Sequence, residues 1–195
     1  MNFLIVTGLS GAGKSMAVNA LEDIGFFCID NIPAGLLPRI LDFAQQGENQ
    51  LSRVAVVMDI RGLHSVQETN EALEALDEKK MPYDILFLDA SDAAIRRRYK
   101  ETRRVHPMTI SEGIPVSEAI TKERQILQPL RERAKYVIDT SLLSTAQNRE
   151  RVSSLFLQKG QCAMSINVVS FGFKYGLPQE ADIVFDAVSY THLRA

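Results

Sequence analysis

The chain has 195 residues, 46% of them hydrophobic and 24% charged, with a formal net charge of −2. That composition is typical of folded soluble proteins and excludes disordered and collagen-like chains. The longest apolar run, residues 54–58, falls far short of the roughly 20 residues that cross a bilayer, so no membrane association is expected. At about 150 residues per domain, the length holds one domain and a remainder that needs its own explanation.

The first residues lack a basic start followed by a long apolar segment, so they do not read as a signal peptide. Cys28 and Cys162 have no CxxC partner, and neither a disulfide framework nor a zinc site is expected. The expected location is a reducing cytoplasm. The mild net charge conceals a basic stretch: residues 92–135 carry 11 of the 22 Lys and Arg against six acids.

In chain order, residues 3–7 form an apolar strand candidate, followed by a Gly-rich turn and a helix carrying Ala17, Ala20, Leu21 and Ile24 at helical spacing. Gly25 closes that helix. Residues 26–29 read as a second strand, and Pro33 with Gly35 introduces a helix over about 36–46. A third strand, 54–58, ends at Asp59. A helix over about 66–80 follows, and Pro82 precedes a fourth strand, 85–88, ending at Asp89. Next come a helix over about 93–103, a Pro- and Gly-punctuated stretch at 106–115, and a longer helix over about 117–135, interrupted or bent at Pro129. Residues 136–138 form the fifth strand, ending at Asp139, and a helix with Val152, Leu155 and Phe156 on one face completes the unit. Apolar strands alternating with helices predict an α/β fold, a parallel sheet covered on both faces.

Gly8, Leu9, Ser10, Gly11, Ala12, Gly13, Lys14 and Ser15 match the phosphate-loop pattern between the first strand and helix. Such a loop turns successive backbone amides towards a polyphosphate, and glycines supply the dihedrals this demands. The helix N-terminus adds amides and its dipole. Lys14 is placed to neutralise the outer phosphates and Ser15 to ligate Mg²⁺. The bland alternative is a Gly-rich turn without a ligand, which the flanking strand and helix make unfavourable.

A phosphate loop also calls for an acid at a neighbouring strand end. Asp59 is the best placed, as metal ligand and catalytic group alongside Lys14. For Asp30, contact with Mg²⁺ or a second substrate stands beside a simple turn role. Asp89 and Asp139 read as structural caps. Arg96, Arg97, Arg98, Lys100, Arg103 and Arg104 lie within nine positions, opposed only by Glu101. Three readings of this run stay open: a solvated helix face, a lid over the transferred phosphate, and contact with an RNA backbone. His64 and His106 have no metal-like spacing and are expected at the surface.

Residues 160–164 read as a linker. Ile166, Val168, Val169, Phe171 and Phe173 then form a strand candidate and residues 183–185 another. Two strands cannot make a core of their own. The expected organisation is a phosphate-loop nucleotide-binding domain at 1–158, a linker at 159–164, and at 165–195 the truncated start of a second α/β domain.

With the phosphate loop, Cys28-Ile29-Asp30-Asn31-Ile32-Pro33, Asp59-Ile60-Arg61-Gly62, Glu101-Thr102-Arg103-Arg104-Val105-His106-Pro107 and Ser170-Phe171-Gly172-Phe173-Lys174-Tyr175-Gly176 in order, the chain closely resembles the RapZ family from residue 1 to about 186. The resemblance implies a regulatory protein that binds ATP and GTP and hydrolyses them slowly, with the phosphate loop for ATP and Asp59, Ile60, Arg61 and Gly62 for GTP. It further implies, for one branch of the family, an RNase adapter that binds small regulatory RNAs controlling glucosamine-6-phosphate synthesis, with protein partners and homo-oligomers among its assemblies. Residues 187–195 depart abruptly from the family pattern, so a truncated or chimeric reading frame is expected there. From a different functional class, a small-molecule kinase of the nucleoside monophosphate or shikimate type shares the plan of phosphate loop and Arg-rich lid. Asp30 would then orient the acceptor hydroxyl, and Arg103 or Arg104 would clamp the phosphate.

Overall fold

Short runs of aliphatic and β-branched residues build the sheet. The computed structural model describes residues 2–46, 52–62, 66–78, 82–157, 168, 170–172, 176 and 183–185. Its strands are β1 (Asn2–Gly8), β2 (Phe27–Ile29), β3 (Arg53–Val57), β4 (Tyr83–Asp89) and β5 (Tyr136–Asp139), in the spatial order β2-β3-β1-β4-β5 with every pairing parallel. Four successive residues of β3, Val54 to Val57, are each at most 2% exposed. Successive strand side chains point to opposite faces, so the sheet is covered on both, as the continuous apolar runs predict.

The strands alternate with α1 (Lys14–Asp23), α2 (Leu37–Gln46), α3 (Val66–Glu78), α4 (Asp92–Thr102), α5 (Pro107–Glu112), α6 (Val116–Arg133) and α7 (Thr145–Phe156). Helix α1 packs on α7, and α3 packs on α6. Local chemistry sets the helix starts. Ser91 caps α4 by accepting the Ala94 amide, and Ser144 with Gln147 forms a reciprocal capping box on α7.

Two local expectations are corrected. The stretch at 106–115 contains α5: His106 accepts the Met108 amide as N-cap, Pro107 occupies the first turn, and Gly113 ends the helix at φ 71°. Of the interruption or bend expected at Pro129, the interruption does not occur: α6 continues to Arg133. Buried Ile126, Leu127 and Leu130 flank the proline, and their packing holds the helix through the missing amide.

The chain divides into two compact units, Met1–Ala163 and Met164–Ala195. In the second, residues 183–185 carry no regular structure, contrary to the strand expected there, and neither do residues 168 and 170–172. Ile183 and Phe185 are exposed, and among the described residues no strand pairs with this triplet. The rest of the expected strand at 166–173, the linker, Cys162, His64 and residues 187–195 lie outside the described residues. Among the described residues, no helix is long and apolar enough to cross a membrane.

Because all five strands run in one direction, their carboxyl ends share one side of the sheet. Neighbouring β1 and β3 bring Gly8 and Asp59 to the same edge, where the Met58 amide donates to the Val6 carbonyl at 3.0 Å.

Candidate functional site

The phosphate loop leaves β1 at Gly8 with φ 138°, and a Cβ there would stand 2.1 Å from the Leu88 carbonyl oxygen on β4. Only glycine permits that approach. Leu9 then donates its amide to the same carbonyl at 3.1 Å, and Ala12 donates to the Leu9 carbonyl at 2.9 Å. Ser10 gives its amide to Glu123. The side chains of Leu9 and Ala12 are fully buried. Among the described residues, the amides of Gly11, Gly13, Lys14 and Ser15 find no acceptor. They form, with the N-terminus of α1, a cradle of four donors, and no acidic residue in the first turn of α1 competes for them.

The loop carbonyls are held from outside, which turns those amides inward. Arg98 on α4 donates to the Gly11 carbonyl at 2.9 Å and to Thr140 Oγ1 at 3.0 Å. Thr140 in turn donates to the Ala12 carbonyl at 2.9 Å, and Asn148 on α7 reaches the Gly13 carbonyl at 3.4 Å. Lys14 Nζ donates to the Gly8 carbonyl at 2.6 Å.

Beneath the loop lies Glu123, with no solvent exposure. Its carboxylate accepts the Ser10 amide at 3.0 and 3.1 Å, the Ser10 hydroxyl at 2.7 Å and His106 Nε2 at 3.0 Å. His106 Nδ1 accepts the Met108 amide, so the ring proton sits on Nε2 and points at Glu123. The expected surface position of His106 is therefore corrected: it is fully buried, because a buried carboxylate needs its donor. Tyr99 packs against the His106 ring at 5.4 Å. Burial, and then the charge of Glu123, push its hydroxyl up to about 12.

Asp59 follows β3 with its side chain 11% exposed, 3.9 Å from Lys14 Nζ and 3.1 Å from the Arg61 guanidinium. Burial alone would raise its pKa, but Lys14 and Arg61 outweigh it and hold the carboxyl below its ordinary value. Ile60 and Arg61 begin a short 3₁₀ turn that ends at Gly62; Ile60 turns into the core and Arg61 out to solvent. The phosphate loop, Asp59 and Arg61 line one cleft of about 990 Å³, together with Arg97, Arg98 and Arg104 and the β5–α7 segment carrying Thr140 and Leu143. Arg103 lies outside that lining, at the left-handed end of α4 with φ 52°. Asp30 lies outside it too, its carboxylate accepting the Asn31 amide at 2.7 Å.

Asp139 caps its own loop through the Ser141 amide and hydroxyl, in line with a structural role. Asp89 does more than cap: beside accepting the Ala90 amide, it pairs with Arg124 at 2.8 Å and Arg131 at 3.2 Å. Arg133 pairs with Asp77 and Lys135 with Asp84, so the second half of the basic stretch is neutralised internally.

Among the described residues no cluster of three or more His, Cys, Asp or Glu is arranged to hold a metal. The cleft instead offers the Ser15 hydroxyl and the ionised Asp59 carboxylate. These hard oxygen donors suit Mg²⁺ when phosphate oxygens and water complete its shell.

Sequence reasoning missed Glu123, Thr140 and Asn148. For Glu123 a signal existed: it falls within the helical stripe of Ala119, Ile120, Ile126, Leu127 and Leu130, all buried, where a charge needs a purpose. For Thr140 and Asn148 no local pattern points to the loop.

Two solved structures share the fold. The Deinococcus radiodurans tunicamycin resistance protein superposes with a TM-score of 0.52 at 14% identity, over 80% of this chain and 95% of that one. The Bacillus subtilis YorR protein, solved in complex with phosphorylated GDP, gives 0.50 at 14% identity, over 78% and 94%. At the sequence level, a protein of Alkaliphilus oremlandii named nucleotide-binding protein is 44% identical over 95% of this chain and 64% of its own length. One of Moorella thermoacetica with the same name is 49% identical over 94% and 61%. The chain thus spans less than two thirds of these relatives. Residues 1–160, which contain the whole sheet and the cleft just described, match the model of the RapZ-like N-terminal domain, and the chain belongs to that family.

Proposed function

We propose that this chain is a regulatory nucleotide-binding module that takes ATP and GTP, with Mg²⁺, in one cleft and hydrolyses them slowly in the cytoplasm. The observation that carries this reading is the convergence of four amides without an acceptor among the described residues, Lys14 and ionised Asp59 on one mouth. The amides of Gly11, Gly13, Lys14 and Ser15 would take the phosphates, and Lys14 Nζ would exchange the Gly8 carbonyl for a phosphate oxygen. Mg²⁺, held through Ser15 and Asp59, would neutralise charge between the outer phosphates. Slow turnover is the behaviour that the family resemblance implies. Since Asp59 and Arg61 line the same cleft as the phosphate loop, GTP and ATP are read as competing occupants. On α4 and at its C-cap, exposed Arg96, Lys100 and Arg103 supply the basic contact that small regulatory RNA or a protein partner would use.

One observation favours the kinase reading, the presence of Arg97 and Arg104 on the cleft wall beside the loop. Calorimetric titration separates the proposals from a loop without ligand. Lys14→Ala is expected to weaken ATP binding by about 10- to 100-fold, the worth of a charge-assisted contact. Unchanged affinity in that variant would remove the loop as the site. Turnover stimulated by one phosphate acceptor would favour the kinase, and acceptor-independent phosphate release the regulatory module.

A further inference from the structure

Glu123 is an anomaly by ordinary packing rules. It is a carboxylate with no exposure, and among the described residues no Lys or Arg pairs with it; such a group is costly unless hydrogen bonds satisfy it. Four contacts do so, three of them from Ser10 and one from His106. Both donors of Ser10, amide and hydroxyl, thus point away from the cleft. The chain turns immediately afterwards, through Gly11 at φ 87° and Gly13 at φ 97°, and the Gly11 amide that follows finds no acceptor among the described residues.

We infer that Glu123 is the positioning residue of the phosphate cradle. By taking the Ser10 donors beneath the loop, it fixes the turn that presents Gly11 and Gly13 to the ligand, and His106, with its proton held on Nε2, keeps the carboxylate in place. A buried isostere of glutamate without charge could fill the same space; what it could not do is accept three donors at once. The ligand class is any polyphosphate, because the effect is on the cradle and not on a base. This inference rests on the nucleotide-binding reading above.

The test compares wild type, Lys14→Ala, Glu123→Gln, Ser10→Ala and the double variant Ser10→Ala/Glu123→Gln. Each is titrated with ATP, GTP and inorganic tripolyphosphate at a temperature where circular dichroism shows it folded. Ser10→Ala and Glu123→Gln are each expected to weaken all three ligands by the same factor, about tenfold, and the double variant to be no worse than Glu123→Gln alone. A merely structural role would lower the melting temperature and leave these affinities unchanged, and that result overturns the inference. So would a loss confined to one base. Should Glu123→Gln fail to fold, Ser10→Ala decides alone, since it leaves the Glu123–His106 pair intact. Absence of binding by wild type defeats the nucleotide reading and the inference together. Loss in Lys14→Ala with normal binding by Ser10→Ala and Glu123→Gln defeats the inference only.

Discussion

Gly13 is where backbone conformation and packing constrain the loop together, so Gly13→Ala has a cost that divides into two parts. Gly13 sits at φ 97° and ψ 24°, and placing an L-residue in that left-handed conformation costs about 1–2 kcal/mol. The new Cβ would also stand 2.8 Å from Asn148 Nδ2. Asn148 is 4% exposed and lies on α7, which packs against α1, so its amide yields only by giving up its bond to the Gly13 carbonyl, worth about 0.5–1.5 kcal/mol. The expected total is roughly 1.5–3.5 kcal/mol. Equilibrium urea denaturation followed by circular dichroism measures it. Asn148→Ala serves as the second axis of a cycle: it removes the obstacle, and with it a buried Oδ1 that has no partner among the described residues. In that background Gly13→Ala should cost only the conformational part, giving a coupling of about 1 kcal/mol. A cost below about 0.5 kcal/mol, or an equal cost in both backgrounds, would refute the reasoning.

Two further outcomes follow from other parts of the fold. Arg53, 7% exposed at the start of β3, donates to the Ile24 carbonyl at 2.6 Å and to that of Phe156, and lies 4.1 Å over the Phe26 ring; it ties together the chain leaving α1 and the last turn of α7. Arg53→Met should lower the urea-derived stability by about 2–4 kcal/mol, and a loss under about 0.5 kcal/mol would show that the two carbonyls find other donors. The second outcome concerns pH. Asp59 has a folded pKa below its ordinary 3.8, so the ionised form is favoured by folding and its contribution is complete above that ordinary value. It is lost as pH falls from 3.8 through the lower folded value. The stability difference between wild type and Asp59→Asn, measured by urea at pH 6 and at steps down to pH 3, should shrink over the acidic end of that range; a constant difference would contradict the ion pairing with Lys14 and Arg61.

Much of this protein is legible one residue after another. The spacing of Gly8, Gly11, Gly13, Lys14 and Ser15 marks a phosphate-loop pattern, which the structure sets between β1 and α1, and the apolar runs at β1, β3 and β4 announce a parallel sheet because strands buried on two faces have no polar side. Asp59 could be singled out at its strand end for the same reason. The sequence alone also carries the family, since its motifs stand in order.

What only the tertiary structure decided lies between residues far apart in the chain. The strand order β2-β3-β1-β4-β5 sets Asp59 beside Lys14, and no periodicity reports which strands are neighbours. Six clustered basic residues look equivalent in sequence, yet Arg98 braces the Gly11 carbonyl and Arg104 lines the cleft while Arg103 stands outside its lining. Helical facing and the path of α4 sort them, not charge. His106 reads as a surface residue and Glu123 is passed over until the fold brings them under Ser10, 113 positions from Glu123. Burial converts those two polar side chains into a support for the loop, because inside a protein a carboxylate persists only where donors are delivered to it, and those donors are delivered here by packing rather than by neighbourhood in the chain.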